Sequence, residues 1–221
     1  MGKKFETVIS VSYFIFNSIL EIIYPRENYC IMCKECYWDG LCIKCRNRIN
    51  RINNNSNNEI QSYGYYGGVL KELILKFKYY SDFTAGDILA EFLEEYIIEN
   101  FNYKEFVITY IPLSKKAKRK RGFNQCEYIA KRISRNLDIC CNEVLIKKIE
   151  NKEQKKLKYS ERYENVKNIF ELNRRINIKN SKIIIIDDVT TSGATMEEAC
   201  RILKKYGVKE IKLLTLAKSQ I

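Results

Sequence analysis

The sequence predicts an α/β protein, a parallel sheet with helices on its faces, preceded by a small cysteine-rich ribbon. Three observations predict it. Four consecutive β-branched residues, Ile183–Ile186, cannot alternate between a wet and a dry face, so both faces of that strand are covered, as in a central parallel strand. A helical pattern over Met196–Tyr206 and a second apolar run, Ile211–Ala217, follow at the spacing of a strand–helix–strand crossover. Near the N-terminus, Cys30-x2-Cys33 and Cys42-x2-Cys45 have the spacing with which two turns offer four thiolates to one zinc ion.

Taken in order, the chain reads as an N-terminal helix (1–24), the ribbon (25–49), an Asn-rich polar linker (50–60) and the α/β domain (61–221). The apolar run Val8–Tyr24 holds Ser10, Ser12, Asn17, Ser18 and Glu21, lacks a small-residue cleavage site and is short for a membrane span. It reads as a core or docking helix, with a peripheral membrane helix as the alternative. Glu6 stands where myristoylation needs a hydroxyl, and the expected location is the cytoplasm. Leu70, Leu73, Ile74 and Phe77 share one helical face, and Ile88, Phe92, Leu93, Tyr96 and Ile97 another. Phe106–Pro112 is an apolar strand stopped by proline, and Gln125–Asn136 a helix capped by Asn124. Val144–Ile149 reads as a strand, the following Glu150–Glu164 is basic and loosely patterned, and Gly207 ends the last helix.

Composition narrows the chemistry. The 221 residues suffice for one main domain and a small appendage, with 46% hydrophobic content against disorder. A formal charge of +12 favours a polyanionic partner. The chain has no histidine, which excludes Ser-His-Asp catalysis, Cys-His dyads and histidine-ligated metals. Of its nine cysteines, Cys30, Cys33, Cys42 and Cys45 are the expected structural zinc ligands. Cys33-x2-Cys36 has the same spacing, but the chosen pairs leave a hairpin, with Gly40 in its turn. Disulfides and unliganded thiols are the competing uses, the former disfavoured in a reducing cytosol. A closed four-thiolate site holds structure and leaves no open position for catalysis.

The stretch "IIIIDDVTTSGAT" (Ile183–Thr195) is dry in its first half and wet in its second. In parallel sheets ligands bind beyond the carboxyl ends of the strands, where Asp187 and Asp188 emerge. The small residues Thr191, Ser192, Gly193, Ala194 and Thr195 let backbone N–H groups turn inward before a helix N-terminus, a cup for one phosphate dianion. Two carboxylates beside it accept from a vicinal diol or hold Mg2+-bound waters. A diol next to a monophosphate is a ribose 5-phosphate. The chain has neither a Walker A loop nor a G-x-G-x-x-G fingerprint.

This stretch resembles the signature of type I phosphoribosyltransferases. More narrowly, the chain resembles the ComF family of competence-associated proteins: a zinc ribbon after a "YP" helix end, then "YGGVLKELILKFKYYSDF", "IPLSKKAKRKRGFNQCEYIA" and "EQKKLKYSERYENVKNIF". The resemblance implies a type I phosphoribosyltransferase-like fold for residues 61–221. It places the ribose of phosphoribosyl pyrophosphate (PRPP), carried with Mg2+, on Asp187 and Asp188, and the 5-phosphate on Thr191–Thr195. The pyrophosphate loop falls at Leu113, Ser114 and Lys115. The resemblance also implies a part in DNA uptake during transformation, beside a competence helicase-type partner.

"KKAKRKRGFN" carries six basic residues in the seven positions Lys115–Arg121 and reads as a loop at a strand end. Lys118, Arg119, Lys120 and Arg121 suit the pyrophosphate of PRPP or a nucleic-acid backbone, and Phe123 can stack a base, as can Tyr159 or Tyr163. The excess of cations favours single-stranded DNA in addition to pyrophosphate. No segment shows a base-reading pattern, so two classes stand. One is a DNA-handling protein with a PRPP site, the other a transferase moving ribose 5-phosphate to a base with release of pyrophosphate.

Overall fold

The computed structural model describes residues 29–35, 40–54, 60–148 and 167–219. The expected N-terminal helix, Cys36, Tyr159, Tyr163 and the basic stretch 150–164 lie outside them. Contacts divide the chain into two units, Met1–Cys45 and Arg46–Ile221. Among the described residues no helix is long and apolar enough to cross a membrane.

In chain order the elements are α1 (Ile43–Arg46), β1 (Ile60–Tyr65), α2 (Gly68–Tyr80), α3 (Phe83–Asn100), a 3-10 turn (Tyr103–Glu105), β2 (Phe106–Tyr110), α4 (Lys115–Arg121), α5 (Gln125–Leu137), β3 (Leu145–Lys147), β4 (Phe170–Leu172), β5 (Lys182–Thr190), α6 (Ala194–Lys205) and β6 (Glu210–Lys218). The main sheet has the order β1-β6-β5-β2 with every pair parallel. Ile183–Ile186 therefore sit in an interior strand, and all four are fully buried. Each such burial is worth about 1.5–3 kcal/mol relative to exposure. Ile183 and Ile185 face Met196, Ala199 and Leu203 of α6, with Leu145 and Phe170 in the same cluster. On the other helices, α3 lies against β1 and β6, and α5 against β2 and β5.

The helical faces read from periodicity are buried in α2 and α3 as expected. Asp82 caps α3, accepting from Ala85 N at 3.2 Å, and Asn124 caps α5, accepting from Cys126 N at 3.0 Å. Four features differ from expectation. β5 does not end at Ile186 but runs through the acid pair to Thr190. The strand read at Val144–Ile149 is three residues long and pairs antiparallel with β4 in a separate two-stranded sheet. β1 carries no strong strand signal; its Ser62 hydroxyl meets Thr215 Oγ1 at 2.7 Å, and its Gly64 leaves no room for a Cβ, which would stand 2.9 Å from Asn50 O. Alongside β1, Ile52 N donates to Tyr63 O and Asn54 brackets Ser62 through both amide atoms. Last, the basic segment is a helix, not a loop: Ser114 accepts from Ala117 N at 3.2 Å at its start, and Gly122, with φ 82, ends it.

Candidate functional site

The acid pair sits where the sheet becomes one-sided. β2 pairs with β5 only as far as Tyr110 opposite Ile186, whereas β6 continues opposite Asp187, Val189 and Thr190. Beyond Ile186 the chain of β2 turns away, held by Ile111 N donating to Ile186 O at 3.0 Å. Leu113, Ser114 and Lys115 leave from this end of β2, so they share with Asp187 and Asp188 the C-terminal edge of the sheet. The next ladder bond is not made: Ile111 O accepts from Asn124 Nδ2 at 3.1 Å, and Asp188 N donates to its neighbour's carboxylate, so the opening begins here.

Both carboxylates are held locally. Asp187 Oδ1 accepts from Asp188 N at 2.8 Å and from the Cys126 thiol at 3.5 Å. Asp188 Oδ1 accepts from Val189 N at 2.7 Å, and its Oδ2 accepts from Lys78 Nζ at 2.8 Å. Burial, then the neighbouring Asp188 charge, pushes the Asp187 carboxyl up to about 7. Burial also lifts the Cys126 thiol well above its ordinary range, with Asp187 and Asp188 adding to it, so this cysteine stays protonated and donates. Burial pulls Lys78 down, but its ion pair with Asp188 outweighs that and holds it above the ordinary lysine value. Lys78 was not singled out in the sequence. It follows Phe77 on α2, and only the fold carries it across to Asp188, 110 residues away.

The segment Thr191–Thr195 divides at Gly193. Thr191 and Ser192 bend out of β5, and Gly193 is the N-cap of α6 with φ 83. A Cβ at Gly193 would meet the flexible tip of Ile60, Cδ1, at 2.8 Å, but it is the backbone conformation that requires glycine. Ala194 and Thr195 are therefore the first helical residues rather than loop, and Ala194 N donates to Ser192 Oγ at 3.5 Å. Their N–H groups belong to the first turn of a twelve-residue helix, whose partial positive charge suits an anion.

On α4, Lys118, Arg119 and Lys120 are exposed and Arg121 is half-buried. Lys118 Nζ lies 3.1 Å from Glu127, and Arg121 Nη1 donates to Gln125 Oε1 at 2.6 Å. Phe123 packs its ring centroid 5.1 Å from Phe77 and 5.3 Å from Phe83, which makes it part of an aromatic cluster.

In the first unit Cys30, Cys33, Cys42 and Cys45 place their sulfurs within 4.8 Å of one another. Cys33 Sγ and Cys42 Sγ are 3.6 Å apart, against about 3.8 Å for two thiolates at tetrahedral corners around zinc. Backbone N–H groups of Met32 and Cys42 donate to Cys30 Sγ, each at 3.4 Å. Burial opposes ionisation of Cys30, yet backbone hydrogen bonds bring it down to about 6; burial and the neighbouring sulfurs push Cys45 up to about 12. The donor set fits one thiophilic ion. Cys126, Cys140, Cys141 and Cys200 do not join it.

Residues 124–220 match the model of the phosphoribosyl transferase domain. The chain is 30% identical over 163 residues to competence protein F of Haemophilus influenzae, covering 71% of each chain. It is 30% identical over 154 residues to competence protein ComFC of Streptococcus pneumoniae, covering 69% of this chain and 65% of that one. ComFC of Bacillus subtilis is 31% identical over 155 residues, 70% of this chain and 62% of its own length. The parallel sheet, the acid pair at its open edge, the glycine-turned helix start and the cysteine cluster thus fall in one chain with these relatives, and the chain belongs to the competence protein F/ComFC family, with a type I phosphoribosyltransferase fold.

Proposed function

We propose that this chain acts in DNA uptake during natural transformation, with a PRPP site at the open edge of its sheet and a cationic helix for single-stranded DNA. The relatives' printed name, competence protein, supports the process. One observation carries the site: the acid pair, the Gly193 turn and the chain leaving β2 share the edge where β5 has lost one neighbour. In this reading Asp187 and Asp188 accept from the ribose hydroxyls. Thr191, Ser192, Gly193, Ala194 and Thr195 hold the 5-phosphate through the start of α6. Leu113, Ser114 and Lys115 meet the pyrophosphate, which travels with Mg2+ as its neutralising ion. Lys118, Arg119, Lys120 and Arg121 take phosphates of the strand. Zinc is the ion assigned to Cys30, Cys33, Cys42 and Cys45, supported by the separation of their sulfurs.

Calorimetric titration of Mg-PRPP into wild type and into Asp187→Asn/Asp188→Asn tests the site. Saturable binding lost in the double variant is expected; no binding by folded wild type would remove PRPP from the reading. A second reading, transfer of ribose 5-phosphate to a base, is favoured by the intact acid pair and glycine turn. Such chemistry needs positioning and electrostatics more than acid or base groups. Release of pyrophosphate from PRPP with a panel of bases separates turnover from binding.

A further inference from the structure

The end of α2 carries an aromatic surface beside the basic helix, made of residues not assigned to PRPP. Tyr79 and Tyr80 are 55% and 80% exposed, and Phe83, at the start of α3, is 45% exposed. Three large rings left in water within five residues are an interaction surface rather than scattered exposure. Phe83 is fixed from below. Phe83 packs at ring-centroid distances of 6.0 Å from Phe77 and 5.2 Å from Tyr128, and Phe77 itself lies 5.2 Å from Tyr128. Arg121, the last residue of α4, holds its guanidinium 5.8 Å from the Tyr79 ring centroid and also donates to Gln125 Oε1. The aromatic patch and the cationic helix therefore meet at one residue.

What surrounds the rings decides the occupant. The neighbouring α4 exposes Lys115, Lys116, Lys118, Arg119 and Lys120. An apolar protein face would gain nothing from so dense a positive edge, whereas a polyanion with free π faces matches both halves. In a duplex the base faces are stacked away; in a single strand they are open.

We propose that Tyr79, Tyr80 and Phe83, joined to α4 through Arg121, form a base-stacking platform for single-stranded DNA. This inference rests on the nucleic-acid half of the function proposed above and adds the group that reads the bases. Phe123, already enclosed between Phe77 and Phe83, braces the platform from beneath. Phosphates run along α4 while the rings take one or two bases.

Fluorescence anisotropy separates stacking from charge. Labelled oligothymidylate and an abasic strand of equal length and charge are titrated into wild type, Tyr79→Ala/Tyr80→Ala and Lys118→Ala/Arg119→Ala/Lys120→Ala at two salt concentrations. The tyrosine variant is expected to lose about tenfold or more in affinity for oligothymidylate and to bind the abasic strand as wild type does. The cation variant is expected to weaken on both strands and to flatten the salt dependence. Unchanged oligothymidylate binding by the tyrosine variant, or equal loss on both strands, overturns the platform. Failure of wild type to bind either strand overturns the nucleic-acid reading itself. Should the double variant not fold, Tyr80→Ala, the most exposed of the rings, carries the same comparison.

Discussion

Asp187 is a carboxyl kept where ionisation is unfavourable, since burial and the adjacent Asp188 charge raise it from 3.8 to about 7. The Lys78 ammonium lies 2.8 Å from Asp188 Oδ2, which leaves Asp187 with a thiol and a backbone N–H as its partners. The consequence for stability has a definite sign. Below the ordinary carboxylate range both the folded and the unfolded chain hold the proton. Between that range and about 7 the unfolded chain releases it while the fold retains it, so stability falls as pH rises and the loss is complete above 7. Asp187→Asn is therefore expected to melt above wild type at pH 8, with the gap narrowing steadily on acidification, while it weakens Mg-PRPP binding. Thermal melts across this range check it. A variant that melts below wild type at pH 8 would make Asp187 a structural acid. A residue that lowers stability where it stands and is needed for a ligand is the expected signature of a binding group.

At the scale of elements, Gly193 turns β5 into α6, and the strain it avoids can be weighed. The clash of a new Cβ is with Ile60 Cδ1, the far end of a flexible side chain that can move aside. The φ of 83 has no such remedy, and a non-glycine residue in that region costs about 1–2 kcal/mol. Gly193→Ala is expected to lower the melting temperature by about 2–8 °C; an unchanged melt would mean that the turn relaxes to another conformation. This turn was legible in the sequence because small residues between an apolar run and a helical pattern have few other uses. β5, α5, α6 and β6 were legible for the same reason, since periodicity, caps and apolar runs are local. β1 was not, because its burial comes from a hydroxyl pair with Thr215 and the close approach of Asn50 to Gly64, neither of which is local. The helical state of α4 was hidden by its charge. Its punctuation, Ser114 before and Gly122 after, was present, but the support for six like charges comes from Glu127 on α5 and from the ring of Tyr79. Lys78 was illegible on the same ground, as its partner is brought to it only by the sheet.

Across the whole molecule, the described residues of the two units bury different things. In Arg46–Ile221 the interior is a continuous set of aliphatic and aromatic side chains on both faces of a parallel sheet. In the first unit, the buried residues among those described are Cys30, Ile31, Leu41, Cys42 and Cys45, and three of the five are themselves prospective ligands. Among the described residues, two buried aliphatic side chains supply only about 3–6 kcal/mol. The proposed zinc ion, drawing four thiolates together, would add to this, since metal binding free energy in such small units is folding free energy. Elemental analysis of the purified chain is therefore expected to give about one zinc per molecule. Cys42→Ser, which removes one corner of the tetrahedron, is expected to fall well below that. Cys140→Ser is expected to retain it, because Cys140 is an exposed thiol outside the cluster. Equal zinc in all three proteins would mean that the metal sits elsewhere, and the close sulfurs of Cys33 and Cys42 would then need a different explanation. Zinc lost from both variants would point to general thiol damage rather than to a four-cysteine site.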